Sequence, residues 1–258
     1  MRFLREKKGI VTLLENLAAT LAFFLVWQVA ALSLDERILL PTPLAVIRRF
    51  LMLLTEAEFY GAALYSLSRI ALGFVCGLGV GILLAALAAA SHTAEVLLRP
   101  YMFTVKSVPV ASFVVLALVW LTSARLSFFI AFLMVMPIVY TNLLTGIRSA
   151  DPAMREMAEL YRIAPLKRIV YLYVPSVESA LLAACRISLG LAWKAGIAAE
   201  MIAIPEGSFG EALYLYGSQW WDTTTMLAYT LAIVLLSLLF EKLVLTVLSL
   251  CYRLWKRL

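Results

Sequence analysis

Six apolar stretches dominate the sequence, at about residues 17–34, 66–90, 105–121, 126–146, 180–204 and 226–250. Each is close to or above the roughly 20 residues that an α-helix needs to cross a hydrocarbon layer about 30 Å thick. Inside lipid the backbone must satisfy its own hydrogen bonds, and none of these stretches shows the ten-residue alternation of a barrel strand. The expected fold is therefore all-α, an integral membrane protein of six transmembrane helices. A water-soluble globule is excluded: 64% of the residues are hydrophobic, 15% are charged, and the mean hydropathy is +0.95. One membrane domain is expected over residues 1–258, with the first helix retained rather than cleaved as a signal.

The net charge of +6 sits at the ends and connections of the apolar stretches, so it carries orientation and gives no reason to expect nucleic acid. Cytoplasmic termini put Arg2, Arg5, Lys7, Lys8, Arg99, Arg148, Arg155, Arg162, Lys167, Arg168, Arg253, Lys256 and Arg257 inside. Arg37, Arg48, Arg49 and Arg125 then fall outside. Arg48 and Arg49 are expected on an interfacial helix at about 44–54, its polar side facing headgroups or water. Cys76, Cys185 and Cys251 are too scattered for a disulfide framework or a metal site. No GxxxxGK[ST], GxSxG or HExxH is present, so neither nucleotide binding by a phosphate loop nor hydrolase chemistry is expected of this chain.

The longest cytoplasmic connection, 147–179, reads as two short amphipathic helices. Asp151 can cap the first, with Pro152 at its first helical position. Met154, Met157, Ala158 and Tyr161 share one face, while Arg155, Glu156 and Glu159 occupy the other. Pro165 opens the second helix, whose Leu166, Ile169, Val170 and Tyr173 repeat that spacing until Pro175 stops it. A helix of this kind outside the bilayer suits docking of a soluble protein. Along the second apolar stretch Gly73, Gly77, Gly81, Ala85 and Ala89 recur every four residues, a stripe for close packing of another helix of the same chain, with a dimer seam as the alternative.

At this connection the sequence resembles a family. Glu156-Met157-Ala158, Pro165-Leu166-Lys167-Arg168 and Leu172-Tyr173-Val174-Pro175 are similar to the EAA loop of permease subunits of bacterial binding-protein-dependent ABC importers. Leu40-Pro41-Thr42-Pro43, Ser66-Leu67-Ser68-Arg69, Leu72-Gly73-Phe74, Arg99-Pro100, Val108-Pro109, Ala184-Cys185-Arg186-Ile187, and Ala192-Trp193 through Ala199-Glu200 resemble its nitrate/sulfonate/taurine branch.

The resemblance implies a methionine-importer-like permease fold in the bacterial inner membrane. It implies a dimer of permeases, a homodimer by default, working with two cytoplasmic ATPases that use ATP and Mg, and with an external substrate-binding protein. Asp151 to Tyr161 then matches the coupling helix, with Glu156, Met157, Ala158, Leu160, Tyr161 and Arg162 as ATPase-coupling residues. Two positions depart from the family pattern: Arg162 replaces a glycine at a turn that favours positive φ, and Ser179 replaces a second proline. The turn is expected to persist with Arg162 in it.

Ionisable residues inside apolar stretches each need a reason. Lys194 is the most central; Arg186 lies on much the same helix face, and Glu200 is rotated away from both. Lys194, Arg186 and Glu200 are candidates for the translocation pathway of a small anionic or sulfonate-like solute. The alternative for Lys194 is an ion pair with another helix, or snorkelling. Arg69 and Lys106 are expected to snorkel. The segment 205–222 resembles the family's external loop before the last helix. A different class, an ion-coupled secondary transporter using these same charges, requires paired broken helices or internal repeats, which the sequence does not display.

Overall fold

The computed structural model describes residues 2–34 and 39–255, with side chains described for 15–34 and 39–255. Of the orientation charges, Arg2, Arg5, Lys7, Lys8, Arg37, Lys256 and Arg257 lie outside the described side chains. Every regular element among the described residues is helical. In chain order they are α1 (Arg2–Leu34), α2 (Pro43–Leu53), α3 (Ala57–Ala90), α4 (His92–Ser107), α5 (Val110–Ala117), α6 (Ser123–Arg148), α7 (Pro152–Leu160), α8 (Pro165–Arg168), α9 (Val174–Ala203), α10 (Phe209–Tyr214) and α11 (Thr223–Trp255). Five helical segments are long and apolar enough to cross a membrane, and the bent pair α4–α5 makes a sixth if counted as one span.

That bend corrects the third expected span. The stretch at 105–121 is not one straight helix: α4 begins at His92, and the chain turns by 100° between α4 and α5. Pro109 causes it. The proline drives Val108 out of the helical region, to φ −78 and ψ 132, and then stands as the N-cap of α5.

A second correction concerns Pro175, which does not stop a helix. Residues Ile169–Tyr173 form a wide π-type turn joining α8 to α9, so Pro165–Ala203 is one continuous helical rod. The Val174 N–H donates to the Ile169 carbonyl, five residues back. In this widened turn the missing N–H of Pro175 and the bulk of its ring are accommodated where the four-residue hydrogen-bond pattern is already interrupted. Ser176 Oγ donates to the Leu172 carbonyl at 2.7 Å and Tyr252 Oη to that of Val174 at 2.8 Å, steadying the irregular stretch. Ser179 lies within α9 and is exposed, where no proline is needed.

Two compact units are distinguished. The first comprises Met1–Tyr60 with Ala212–Ala232. Thr42 caps α2, accepting from the Ala45 N–H, with Pro43 at the first helical position. The helix thus falls where the sequence placed its interfacial element, with Val46 and Leu53 buried. Arg48 is exposed as expected, but Arg49 turns inward to an ion pair with Glu56 at 2.7 Å and a hydrogen bond to Thr225 Oγ1 at 3.0 Å. Burial opposes the Arg49 charge, yet the bond to Glu56 and its carboxylate charge outweigh it and hold the guanidinium above its ordinary pKa. Thr225 in turn donates to Asp222, and Tyr229 stacks with Tyr216 at 5.7 Å.

The second unit comprises Gly61–Glu211 with Ile233–Leu258. The small-residue stripe of α3 packs against α6. A Cβ on Gly73 would strike the Phe128 carbonyl and Ala131, one on Gly77 would come within 2.8 Å of Val135 Cβ, and one on Gly81 within 2.8 Å of Val139 Cβ. Close approach of this kind is how membrane helices associate when lipid supplies no hydrophobic drive. At its end the stripe continues through Ala85 to buried Ala88 rather than to exposed Ala89. The step shortens from four to three because 3.6 residues per turn do not sustain a spacing of four indefinitely. Further along, Gly196 of α9 meets Ile70, and Trp193 and Phe74 each set a ring against Phe240.

Candidate functional site

The 147–179 connection builds a small platform. Asp151 Oδ1 accepts from the Ala153 N–H at 2.9 Å, capping α7, and Pro152 opens it. Of the expected apolar face only Ala158 is buried; Met154, Met157 and Tyr161 are exposed, and so are Glu156 and, at 79%, Leu160. The helix ends as the sequence implied despite the missing glycine. Arg162 stands at φ 48, its N–H donates to the Glu159 carbonyl, and the Ile163 N–H reaches back to that of Ala158, both at 3.0 Å. These two bonds are a Schellman motif with arginine at the left-handed position, at a cost of about 1 kcal/mol relative to glycine. Arg168 Nε donates to the Ile163 carbonyl at 2.8 Å and ties the turn to the end of α8. Leu166, Ile169 and Tyr171 are exposed as well, so the platform carries a large apolar surface.

The three intramembrane candidates separate into two environments. Lys194 and Arg186 lie on the exposed face of α9, along with Ile187, Gly190, Leu191 and Ala198, and neither has an ion-pair partner among the described residues. Glu200 is fully buried. Its Oε2 accepts from Ser66 Oγ at 2.6 Å and from the Gly210 N–H at 3.3 Å, while Ser66 Oγ accepts from the Phe209 N–H at 3.0 Å. Gly210 lies so close to Glu200 and Met201 that a Cβ would have no room. The carboxyl therefore fastens the segment after α9 to α3. That segment reverses at Ile204, φ 47, and at Gly207, φ 73.

Sequence reasoning named Ser66 only as part of a resemblance motif and missed its bond to Glu200, 134 residues away, because nothing local marks such a partner. It also missed an ionic cluster at the end of α6 that leads into α7. Glu95 accepts from Arg148 and, at 3.4 Å, from Arg99. Lys106 does not simply snorkel; it donates to Thr141 Oγ1. Arg69 sits 5.5 Å over the Tyr65 ring.

Residues 77–248, well over half the chain, match the model of the binding-protein-dependent transport system inner membrane component family. The chain belongs to this permease family. The permease is 30% identical over 185 residues to the putative aliphatic sulfonates transport permease of Bacillus subtilis, covering 70% of this chain and 67% of that one. It is 26% identical to the taurine transport permease of Escherichia coli, with 70% and 68% covered, and 26% identical to the nitrate import permease of Synechococcus elongatus, with 72% and 70% covered.

Solved structures share the fold at low identity. An amino acid ABC transporter matches with TM-score 0.60 at 16% identity, covering 78% of the permease and 94% of that chain. An ABC transporter importing the acidic polysaccharide alginate matches with TM-score 0.59 at 15% identity, covering 100% and 99%. The expected class is thus met: the chain is a membrane-embedded permease component of ABC import.

Proposed function

We propose that the permease forms the translocation pathway of an ATP-driven importer for a small anion of the sulfonate type, and that α7 is its coupling helix, seated on a cytoplasmic ATPase. The observation that carries this reading is the unburied apolar surface of α7, with Met157, Leu160 and Tyr161 exposed on a helix whose exit is fixed by the Arg162 turn. Such a surface fits a groove in a soluble protein. Family membership supports an ATPase and a binding protein in general terms. The full reading is two permease copies, two ATPases that hold ATP and Mg, an external binding protein, and both permease termini in the cytoplasm. Nucleotide-driven closure of the ATPases would move α7 and shift the membrane halves between two packings.

The relatives named for sulfonates, taurine and nitrate support an anionic solute, and the exposed Lys194 and Arg186, without an ion-pair partner among the described residues, suit a pathway that attracts one. The decisive experiment is co-purification with an ATPase, followed by solute-stimulated, vanadate-sensitive hydrolysis in the reconstituted complex. Leu160→Asp and Met157→Glu should each lower ATPase recovery at least tenfold while the permease stays folded; full recovery with both would overturn the docking role of α7. Lys194→Met should impair uptake with assembly intact, and normal uptake by that variant would remove Lys194 from the pathway.

A further inference from the structure

Between α4 and α6, within the second unit, lies a cleft of about 320 Å³. Three cations line it, Arg99, Lys106 and Arg148, against one carboxylate, Glu95. That carboxylate is already engaged: Arg148 and Arg99 both donate to it, and His92 Nδ1 stands 3.9 Å away. The two arginines and Glu95 therefore satisfy one another at the α6 end of the cleft, with positive charge in excess.

Lys106 stands two helical turns further along the same α4 face as Arg99 and has no carboxylate within ion-pair distance among the described residues. Its recorded hydrogen bond is to Thr141 Oγ1, whose own proton is committed to the Pro137 carbonyl. An ammonium has three donors, so two remain. Met102, Phe103 and Leu144 give the cleft apolar surface beside the hydroxyls of Tyr140 and Thr145. Lys106 is exposed at the cleft, so its two free donors are open to an anion that enters between α4 and α6.

We infer that this cleft binds a tetrahedral oxyanion carried on a short apolar chain, the oxyanion on the Lys106 ammonium and the chain along Met102 and Leu144. Arg99 and Arg148 mark the mouth, and their residual positive field draws the anion in. Two sources present this chemistry, an alkanesulfonate in transit and the headgroup of an anionic phospholipid. The alkanesulfonate source rests on the proposed sulfonate-type solute, whereas the lipid source and the Lys106 dependence do not; the test requires no ATPase, so failure here leaves the α7 docking reading standing, and the reverse holds.

The test uses the full-length chain in nanodiscs of phosphatidylcholine, with 1-butanesulfonate followed by saturation-transfer NMR and phosphatidylglycerol by native mass spectrometry. Wild type should bind at least one of the two saturably. Lys106→Met should weaken that binding tenfold or more, Lys106→Arg should keep it within threefold, and Arg125→Met, at an exposed arginine remote from the cleft, should leave it unchanged. Binding of butanesulfonate alone identifies a solute subsite, binding of phosphatidylglycerol alone a lipid site, and mutual competition one cleft serving both. Absence of both ligands, equal binding by Lys106→Met, or displacement from wild type by 1-butanol as readily as by butanesulfonate would overturn the inference. The butanol arm uses unmodified protein and stands even if a variant fails to fold.

Discussion

Arg162 shows how a single residue can be retained at a backbone position that suits it poorly. Its φ of 48 is left-handed, and the two Schellman bonds hold it there. Arg162→Gly should therefore stabilise the purified permease by about 1 kcal/mol, and a β-branched Arg162→Val should destabilise it, both read by denaturant unfolding in mild detergent. If Arg162→Gly proves neutral or worse, the arginine side chain contributes something that the backbone geometry does not account for. Glu200 makes a different kind of residue-scale prediction. Glu200→Ala leaves Ser66 Oγ and the Gly210 N–H without their acceptor, at a cost of about 1–3 kcal/mol. It should raise amide exchange or proteolysis within 205–211, and unchanged protection there would show that the fastening lies elsewhere. The turn at Arg162 was legible through the family resemblance of the loop around it. The Glu200–Ser66 bond was not, since composition and spacing say nothing about partners far apart in the chain.

Among the elements, α3 provides an internal control. Gly77 touches Val135, whereas a Cβ at Gly79 meets nothing within 4 Å. Gly77→Leu should cost about 1–3 kcal/mol through overpacking, and Gly79→Leu should be close to neutral; equal effects in thermal melts would contradict the α3–α6 packing described above. The small-residue stripe could be read from sequence because packing that close admits few residue types. The bend at Val108-Pro109 and the π-type turn before Pro175 could not be read in the same way. Hydropathy counts apolar residues without regard to the direction of the axis, so it returned one straight span where α4 and α5 turn through 100°. A proline inside an amphipathic pattern signals a disturbance, but whether it ends the helix, as at Pro109, or is absorbed, as at Pro175, depends on the hydrogen-bond pattern it meets.

For the whole molecule, the exposed face of α9 bears on assembly. Arg186, Ile187, Gly190, Leu191, Lys194 and Ala198 lie open along a single helix, and in a symmetric dimer such a face would meet its own copy. With Cys76, Cys185 and Cys251 replaced, single cysteines at Gly190 or Ala198 should form interchain disulfides in membranes, whereas one at buried Ala192 should not. Equal cross-linking at all three would argue against α9 as the seam. The class of protein, five of the spans and the platform could be read from sequence, while the third span proved to be a bent pair. The burial of Glu200 could not, because it depends on where α3, α9 and the 205–211 segment meet.

The continuous helical passage from Pro165 to Ala203 has a mechanical corollary. Thirty-nine residues of helix make a strut roughly 58 Å long. One end is lashed to the exit of α7 through Arg168, and the other ends a turn beyond the carboxyl that grips Gly210. A strut of this length, with its one π-type turn close to the α7 end, converts a tug at one end into displacement at the other, so a partner seated on α7 as proposed would also have a hand on the loop at the opposite end.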